Sequence, residues 1–447
     1  MGILDKIEAA GVVGCGGAGF PTHVKLKGHF DCLIVNGAEC EPLLRNDRWL
    51  MRNRAAEIVE TTAAVAGELG IPRTVIALKG HYHQEVCALR DAIAAQSAPV
   101  ELFELESFYP AGDEQTIVYE VTGRAVPPGG LPGEVGAVVD NVATIYAISQ
   151  ARKDRPFTRK YLTVTGEVHK PTIVCAPIGT SLRACVELAG GTLRDDFVVV
   201  IGGPMMGRVF PASQLDEGVV TKTTSGILIL PADGAHAAAS AVSVERMLSR
   251  ARSACIQCSN CTQLCPRHLL GHPLEPHRIM RKMALTTDYR SLLDDPDIRN
   301  AQLCCECGIC ETYAGPMSLQ PRKINALIKQ ALGEQGIRYQ RPEGSWTPSE
   351  EREVRKVPAA KAAARVGVYK YYDYEISDLL CAEPDTVRIP LRMHIGAPAV
   401  AAVSVGDRVR WGDVIACPTE GKLGARIHAS IDGRVTAVGD MITIAKE

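Results

Sequence analysis

Two short cysteine runs stand about fifty residues apart. The first is Cys255-x-x-Cys258-x-x-Cys261-x-x-x-Cys265-Pro266, and the second is Cys304-Cys305-x-Cys307-x-x-Cys310. A cubane iron–sulfur cluster needs several thiolates converging on it, and only tight spacing delivers them from one segment. In the first run, three cysteines suit one cluster while the fourth reaches to a twin. Pro266 turns the chain away after the last of them. Zinc sites usually take pairs of CxxC rather than this run, and disulfides need an oxidising compartment. The candidate metal ligands are therefore Cys255, Cys258, Cys261, Cys265, Cys304, Cys307 and Cys310. Two clusters in one chain imply electrons that move singly.

A second constellation lies near the N-terminus. Gly14-Cys15-Gly16-Gly17-Ala18-Gly19-Phe20-Pro21 contains G-x-G-x-x-G. A dinucleotide fingerprint should follow a strand, yet residues 4–10 read as a helix. Glu39, twenty residues after Gly19, imitates the ribose-binding acid by coincidence. The chemistry of the loop still stands. Backbone N–H groups at Gly16, Gly17 and Gly19 can approach a phosphate closely, and Lys25 adds charge. Asn36-Gly37-Ala38-Glu39-Cys40-Glu41-Pro42 then follows a strand at 33–35. Strand ends of this kind are where α/β sheets bind ligands, and two carboxylates there could hold ribose hydroxyls or a flavin edge.

The elements that must position these residues alternate. Strands are expected at 32–35, 74–78 and 100–105, and helices at 54–69, 82–95 and 141–151, an α/β layer over residues 1–155. Residues 156–235 read as a small α+β unit, with strands at 161–168 and 197–201 and a helix at 181–188. The cysteines of 243–340 sit on a helical background, clearest at 277–285 and 322–332. Residues 341–372, rich at first in Pro, Glu, Lys and Ala, read as a linker. Residues 373–447 look all-β, with turn-plus-strand signatures at Val405–Val409 and Asp432–Val435. Lys422 lies near the modified lysine of biotinyl and lipoyl domains, but the flanking methionines are absent. His268, His272 and His277 read as surface or capping residues, and Cys15 and Cys40 as small packing residues.

The bulk properties exclude other classes. The 447 residues allow three or four domains. A net charge of −2 gives no footprint for nucleic acid. The first ten residues are amphipathic with Asp5 and Glu8, so no signal peptide is expected. No apolar run is long enough to span a bilayer, so no direct membrane insertion is expected. Sixteen cysteines without a leader favour a reducing cytoplasm.

Taken together, the motifs resemble a known family. Gly14–Lys25, Asn36–Pro42, Tyr109-Pro110-Ala111-Gly112-Asp113-Glu114-Gln115-Thr116 and Asp140-Asn141-Val142-Ala143-Thr144 follow the order of the flavin- and NADH-binding subunit of respiratory complex I. The chain is more similar still to the RnfC component of the Rnf electron-transport complex. Its barrel-like domain is C-terminal rather than N-terminal, which resembles the cobalamin reductases of propanediol-utilising bacterial microcompartments. The resemblance implies an α/β FMN-binding domain, a soluble-ligand-binding β-grasp domain, a helical two-cluster ferredoxin-like domain and a C-terminal barrel-sandwich domain. It implies FMN at Gly16, Gly17, Gly19, Lys25, Asn36, Asn141 and Thr144, and NADH at Phe20, Glu39, Glu41 and Glu114. No general acid or base is expected, because hydride transfer needs none.

The implied activity passes electrons from NADH to FMN to two [4Fe-4S] clusters and on to a corrinoid. The expected partners are a corrinoid adenosyltransferase and microcompartment shell proteins, with a location within or at the microcompartment. Two other readings stay open: a peripheral electron-input subunit using ferredoxin or a flavoprotein, and a non-catalytic corrinoid- or shell-binding scaffold. The family pattern also calls for a cysteine before a proline after Cys310, where Gly315 stands before Pro316. Crossed ligation would give Cys265 to the cluster of Cys304, Cys307 and Cys310. The cluster of Cys255, Cys258 and Cys261 is then short of one thiolate and is expected to be labile. Cys305 stays open as its rescue ligand.

Overall fold

The computed structural model describes residues 1–344 and 346–447. The chain begins with α1 (Ile3–Ala9), which buries Ile3 and Ile7, and a short α2 (Thr22–Lys25) follows the glycine loop. Strands β1 (Cys32–Asn36), β2 (Arg73–Lys79) and β3 (Glu101–Leu105) precede the short β4 (Phe108–Tyr109) and β5 (Ala137–Asn141). Four of them form a parallel sheet in the order β3-β2-β1-β5. Between them run α3 (Asn46–Asn53), α4 (Ala55–Leu69), α5 (His83–Gln96) and α6 (Glu114–Thr122), and α7 (Val142–Arg152) closes the unit. Alternation along β1 sorts the two faces. Leu33 and Val35 pack with α1, α3, α4, α5 and α7, while Cys32 and Ile34 pack with Ile117, Val118 and Val121 of α6. A parallel sheet covered on both faces reads as a continuous apolar run, and Cys32-Leu33-Ile34-Val35 does.

The β-grasp unit contributes β6 (Arg159–Gly166), β7 (Thr172–Pro177), β8 (Phe197–Ile201), β9 (Arg208–Pro211) and β10 (Gly226–Pro231), with α8 (Leu182–Leu188) packed on one face. The cluster unit is helical, and its core gathers Met247, Leu274, Ile279, Met280, Ile298, Ile324 and Ile328.

Residues 341–372 are not a free linker. After a turn at Glu350–Arg355, β11 (Val357–Pro358) pairs antiparallel with β4, and a helix at Ala359–Arg365 buries Ala359, Ala362 and Ala363. Alanine and charge in that stretch are helix-forming composition, and one alanine face is enough to dock it. Arg352 is itself buried and pairs with Glu120 of α6. Beyond it, β12 (Leu379–Cys381) joins the β-grasp sheet, whose order is β12-β7-β6-β10-β8-β9.

The C-terminal unit is two small sheets closed on Ile389, Ile415, Ile427, Val435, Ile442 and Ile444. It sits against the glycine loop. Gly19 has φ +73°, and a Cβ there would meet Thr223 Cγ2 at 2.9 Å, the Met393 carbonyl at 3.0 Å and His394 Cα at 3.2 Å. Lys222, fully buried, donates to the carbonyls of Gly11 (2.6 Å) and Arg426 (2.7 Å), tying three units together. Among the described residues, no helix is long and apolar enough to cross a membrane.

Gly19→Ala imposes a left-handed conformation on an L residue and a clash with backbone. It should destabilise the chain by about 1–3 kcal/mol. Calorimetry should show a lower unfolding temperature, and an unchanged one would contradict the contact.

Candidate functional site

The open end of the parallel sheet builds one half of the site. Gly16, Gly17 and Ala18 are exposed, and a Cβ at Gly17 would meet no atom within 4 Å. Behind them lies the N-terminus of α7. Asn141 caps it, its Oδ1 accepting from the Ala143 N–H at 2.9 Å. Thr144, one turn in and fully buried, accepts the Cys15 N–H at 3.0 Å and so fastens the loop to the helix. A bare loop on a helix N-terminus is a phosphate cradle in its chemistry. Lys25 faces the same region, bonded to Glu114 at 2.7 Å. Asp140 stands near it with an unpartnered Oδ2, and burial pushes its carboxyl up to about 6. A cationic lysine, open amides and an orphaned buried oxygen fit a polar phosphate-bearing cofactor such as FMN.

The remaining site residues are partly committed within the chain. Asn36 fixes the end of β1, its Nδ2 donating to the Gly112 carbonyl (2.8 Å) and its Oδ1 accepting from Ala38 (3.1 Å). Glu39, in a left-handed conformation at φ +36°, accepts the Asp47 and Arg48 N–H groups at the start of α3. Glu41 accepts the N–H groups of Met205 and Met206, both at 2.8 Å, and so docks the β-grasp unit. Phe20 is half-buried beside the loop. Cys15 and Cys40 are packing residues, with Cys40 Sγ also accepting the Gly112 N–H at 3.0 Å.

Two residues at this site were not found by sequence reasoning. Asp47 is buried and accepts from Asn141 Nδ2 at 2.6 Å; burial pushes its carboxyl up, and burial together with the nearby Asp47 charge pushes the Glu39 carboxyl up to about 7. Lys160 comes from the β-grasp unit and donates to the Cys15 carbonyl at 3.3 Å. No local pattern marks either residue, because each belongs to the site only through the fold.

The cysteine runs share one backbone design. Gln257 (φ +58°) and Ser259 (φ +59°) flank Cys258, and Glu306 (φ +58°) and Gly308 (φ +82°) flank Cys307. Left-handed residues on each side of the middle cysteine turn the backbone in the same way in both runs. The two runs are therefore structural repeats, and both fit the cluster chemistry. The thiol of Cys261 is pushed up to about 12 by burial, with Cys258 and Cys255 beside it adding to the rise. Cys265 is pushed up by burial and by Cys304 and Cys305. Cys307 and Cys310 both feel Cys265 as well as each other or Cys304. Cys265 therefore stands beside the thiols of the second run. Cys305 lies on this side too, beside Cys307 and near Arg267. Among the described residues no three His, Cys, Asp or Glu side chains are placed to hold one metal ion. Cubane ligands each bind a different iron corner and stand wider apart than ligands of a single ion.

The repeat also corrects the register of the missing ligand. Cys265 lies ten residues after Cys255, and the position ten after Cys304 is Ala314, which is buried; Gly315 is half-exposed. A further correction concerns His272. It is 2% exposed and hydrogen-bonded to the Val126 carbonyl at 2.9 Å, because the cluster unit docks there on the α/β domain. His277 shares a 2.8 Å hydrogen bond with Thr262.

Family models agree with this layout. A Nuo51 FMN-binding domain matches residues 7–150, an SLBB domain 161–209, a 4Fe-4S dicluster domain 254–320 and an RnfC barrel sandwich hybrid domain 373–447. The chain is thus an oxidoreductase that carries FMN and iron–sulfur clusters. It is 41% identical to the cobalamin reductase PduS of Salmonella typhimurium, over 99% of this chain and 96% of that protein. It is 38% identical to PduS of Citrobacter freundii, with the same coverage. The C component of the ion-translocating oxidoreductase complex of Edwardsiella ictaluri is 36% identical over 61% of this chain and 33% of its own length. The chain belongs to the cobalamin reductase PduS family.

Two outcomes follow from the geometry. Burial pushes the Glu41 carboxyl from 4.5 up to about 7. The folded chain keeps that proton where the unfolded chain has lost it, so this group's contribution to stability falls as pH rises across the window. Glu41→Gln should gain stability relative to the parent between about pH 5 and about pH 8 in urea unfolding, and a constant difference would contradict the burial. Ala314→Cys should render the air-sensitive cluster stable by electron paramagnetic resonance, whereas Gly315→Cys should not. The reverse pattern would overturn the register.

Proposed function

We propose that this protein is an NADH-dependent reductase that delivers single electrons to a corrinoid and so supports regeneration of the adenosylated cofactor. The single observation that carries this reading is the docking of an open phosphate cradle and a largely buried four-thiol site on opposite ends of one motif, Tyr109–Thr116. Tyr109 Oη donates to the Cys307 carbonyl at 2.7 Å at one end, and Glu114 holds Lys25 at the other. Bound FMN would convert the paired electrons of a hydride into single electrons that clusters accept.

The chain's own residues do the rest. Gly16 and Gly17 present amides to the FMN phosphate, the α7 N-terminus adds its dipole, and Lys25 neutralises charge. Asn36, Asn141 and Thr144 hold the loop and strand ends that shape the cradle. Phe20 and Glu114 border the open side where a nicotinamide would lie. Glu39 and Glu41 keep the NADH side in shape through α3 and the β-grasp loop. Cys255, Cys258, Cys261, Cys265, Cys304, Cys307 and Cys310 hold the clusters, with the first cluster one thiolate short. The relatives named cobalamin reductase support the corrinoid as acceptor. The same likeness supports an adenosyltransferase partner and association with a propanediol-utilisation microcompartment and its shell proteins.

Anaerobically purified protein should carry FMN noncovalently, oxidise NADH and reduce cob(III)alamin, with faster turnover when a corrinoid adenosyltransferase is present. Because Gly17 has open space around it, Gly17→Phe should lose FMN at an unchanged unfolding temperature. Full FMN retention in that variant would contradict the cradle. Reduction of ferredoxin but not cobalamin would move the acceptor to that of an Rnf-like electron-input protein.

A further inference from the structure

Between the flavin cradle and the buried thiols stands one ion pair. Arg267 Nη1 and Nη2 donate to Asp113 Oδ1 and Oδ2 at 2.6 and 2.9 Å. The two side chains are only 10% and 13% exposed. Each partner belongs to one redox end. Asp113 caps α6, accepting the Thr116 N–H at 3.1 Å, and the next residue, Glu114, holds Lys25. Arg267 follows Cys265-Pro266 directly, and its guanidinium lies near Cys305 and Cys265. The opposite arrangement surrounds the other run. Cys258 is exposed, and Ile256 beside it is 60% exposed. The site at Cys265, Cys304, Cys307 and Cys310 is thus the inner one, docked on the flavin domain, and the site at Cys255, Cys258 and Cys261 is the outer one.

We propose that Arg267 is a positioning residue of the electron path: clamped by Asp113, its fixed charge raises the reduction potential of the inner cluster and makes it the first to take electrons from the flavin domain. This rests on the reductase reading above. The step is one electron leaving reduced flavin and adding to the inner cluster. No bond forms or breaks at the cluster, and its net charge becomes more negative by one. A cation held close by in a water-poor interface stabilises that extra charge far more than one in solvent. Arginine keeps its charge at every working pH, and a bidentate clamp keeps it in place. The Asp113 carboxylate opposes the effect in part, so the two partners act with opposite signs.

The opposite signs make the test. Iron and FMN content are measured first, then each cluster is titrated potentiometrically under argon with electron paramagnetic resonance detection. The signal lost in Cys258→Ser marks the outer cluster, and the remaining one is the inner. In Arg267→Gln the inner potential should fall, by at least a tenfold change in the one-electron equilibrium, which is ~59 mV. In Asp113→Asn it should rise, and in Arg267→Lys it should return part of the way to the parent value. The outer potential should stay put in all three. A purely structural role would move Arg267→Gln and Asp113→Asn in the same direction, and that result would overturn the proposal. So would an unmoved inner potential in variants with full iron. Absence of iron and FMN from the parent protein would instead overturn the reductase reading itself.

Discussion

The gathering of four thiols, three of them buried, at one domain boundary is the constraint on which the rest of this protein turns. Burial raises the cost of ionising Cys265, Cys304 and Cys310, and neighbouring thiols raise it further; for Cys307 the neighbouring Cys305 comes first and burial second. A thiolate is the form that binds iron, so the pocket is suited to a ligand that brings its own positive charge. Cluster binding and folding are then one event. The α/β domain, the β-grasp loop at Met205 and the segment after residue 341 all meet the same region.

Neighbouring contacts serve that arrangement. Arg322 donates to the Met205 carbonyl at 3.0 Å while Glu41 accepts the Met205 N–H, so one β-grasp loop is held from both the cluster side and the flavin side. Electrons tunnel efficiently only across short gaps, and a chain of separately folded units would leave those gaps to chance. Lys222 performs a similar task at the other face, where its ammonium bridges two carbonyls from different units without any carboxylate. Burial pushes it down to about 7, so a neutral amine can make the same two donations. Specificity of docking here comes from hydrogen bonds to backbone, which fix position as well as distance.

Much of this was legible in the chain. Cysteine spacing gave the clusters because their ligands are local, and the glycine loop was visible because its chemistry is the absence of side chains. Strand-like runs at Cys32–Val35 and Thr74–Leu78, alternating with helices, gave the α/β layer. What was hidden depends on distance along the sequence. Asp113 and Arg267 are 154 residues apart, and neither alone has a pattern. Lys160 and Asp47 approach the cradle from elements that a linear reading assigns elsewhere. His272 looked like a surface residue because its burial comes from another domain. The stretch after residue 341 looked like a linker since alanine and charge describe both a loose chain and a docked helix. The missing ligand was placed at Gly315 by the adjoining proline, while the backbone repeat points to Ala314.

The central claim is that Cys265 belongs to the second run's cluster, and its replacement by serine tests this most directly. Air-exposed Cys265→Ser should show the formerly robust cluster, held by Cys304, Cys307 and Cys310, converting to a three-iron signal, with the cluster of Cys255, Cys258 and Cys261 unchanged from the parent. Damage confined to the cluster of Cys255, Cys258 and Cys261 would show that Cys265 serves its own run and would contradict the crossed arrangement.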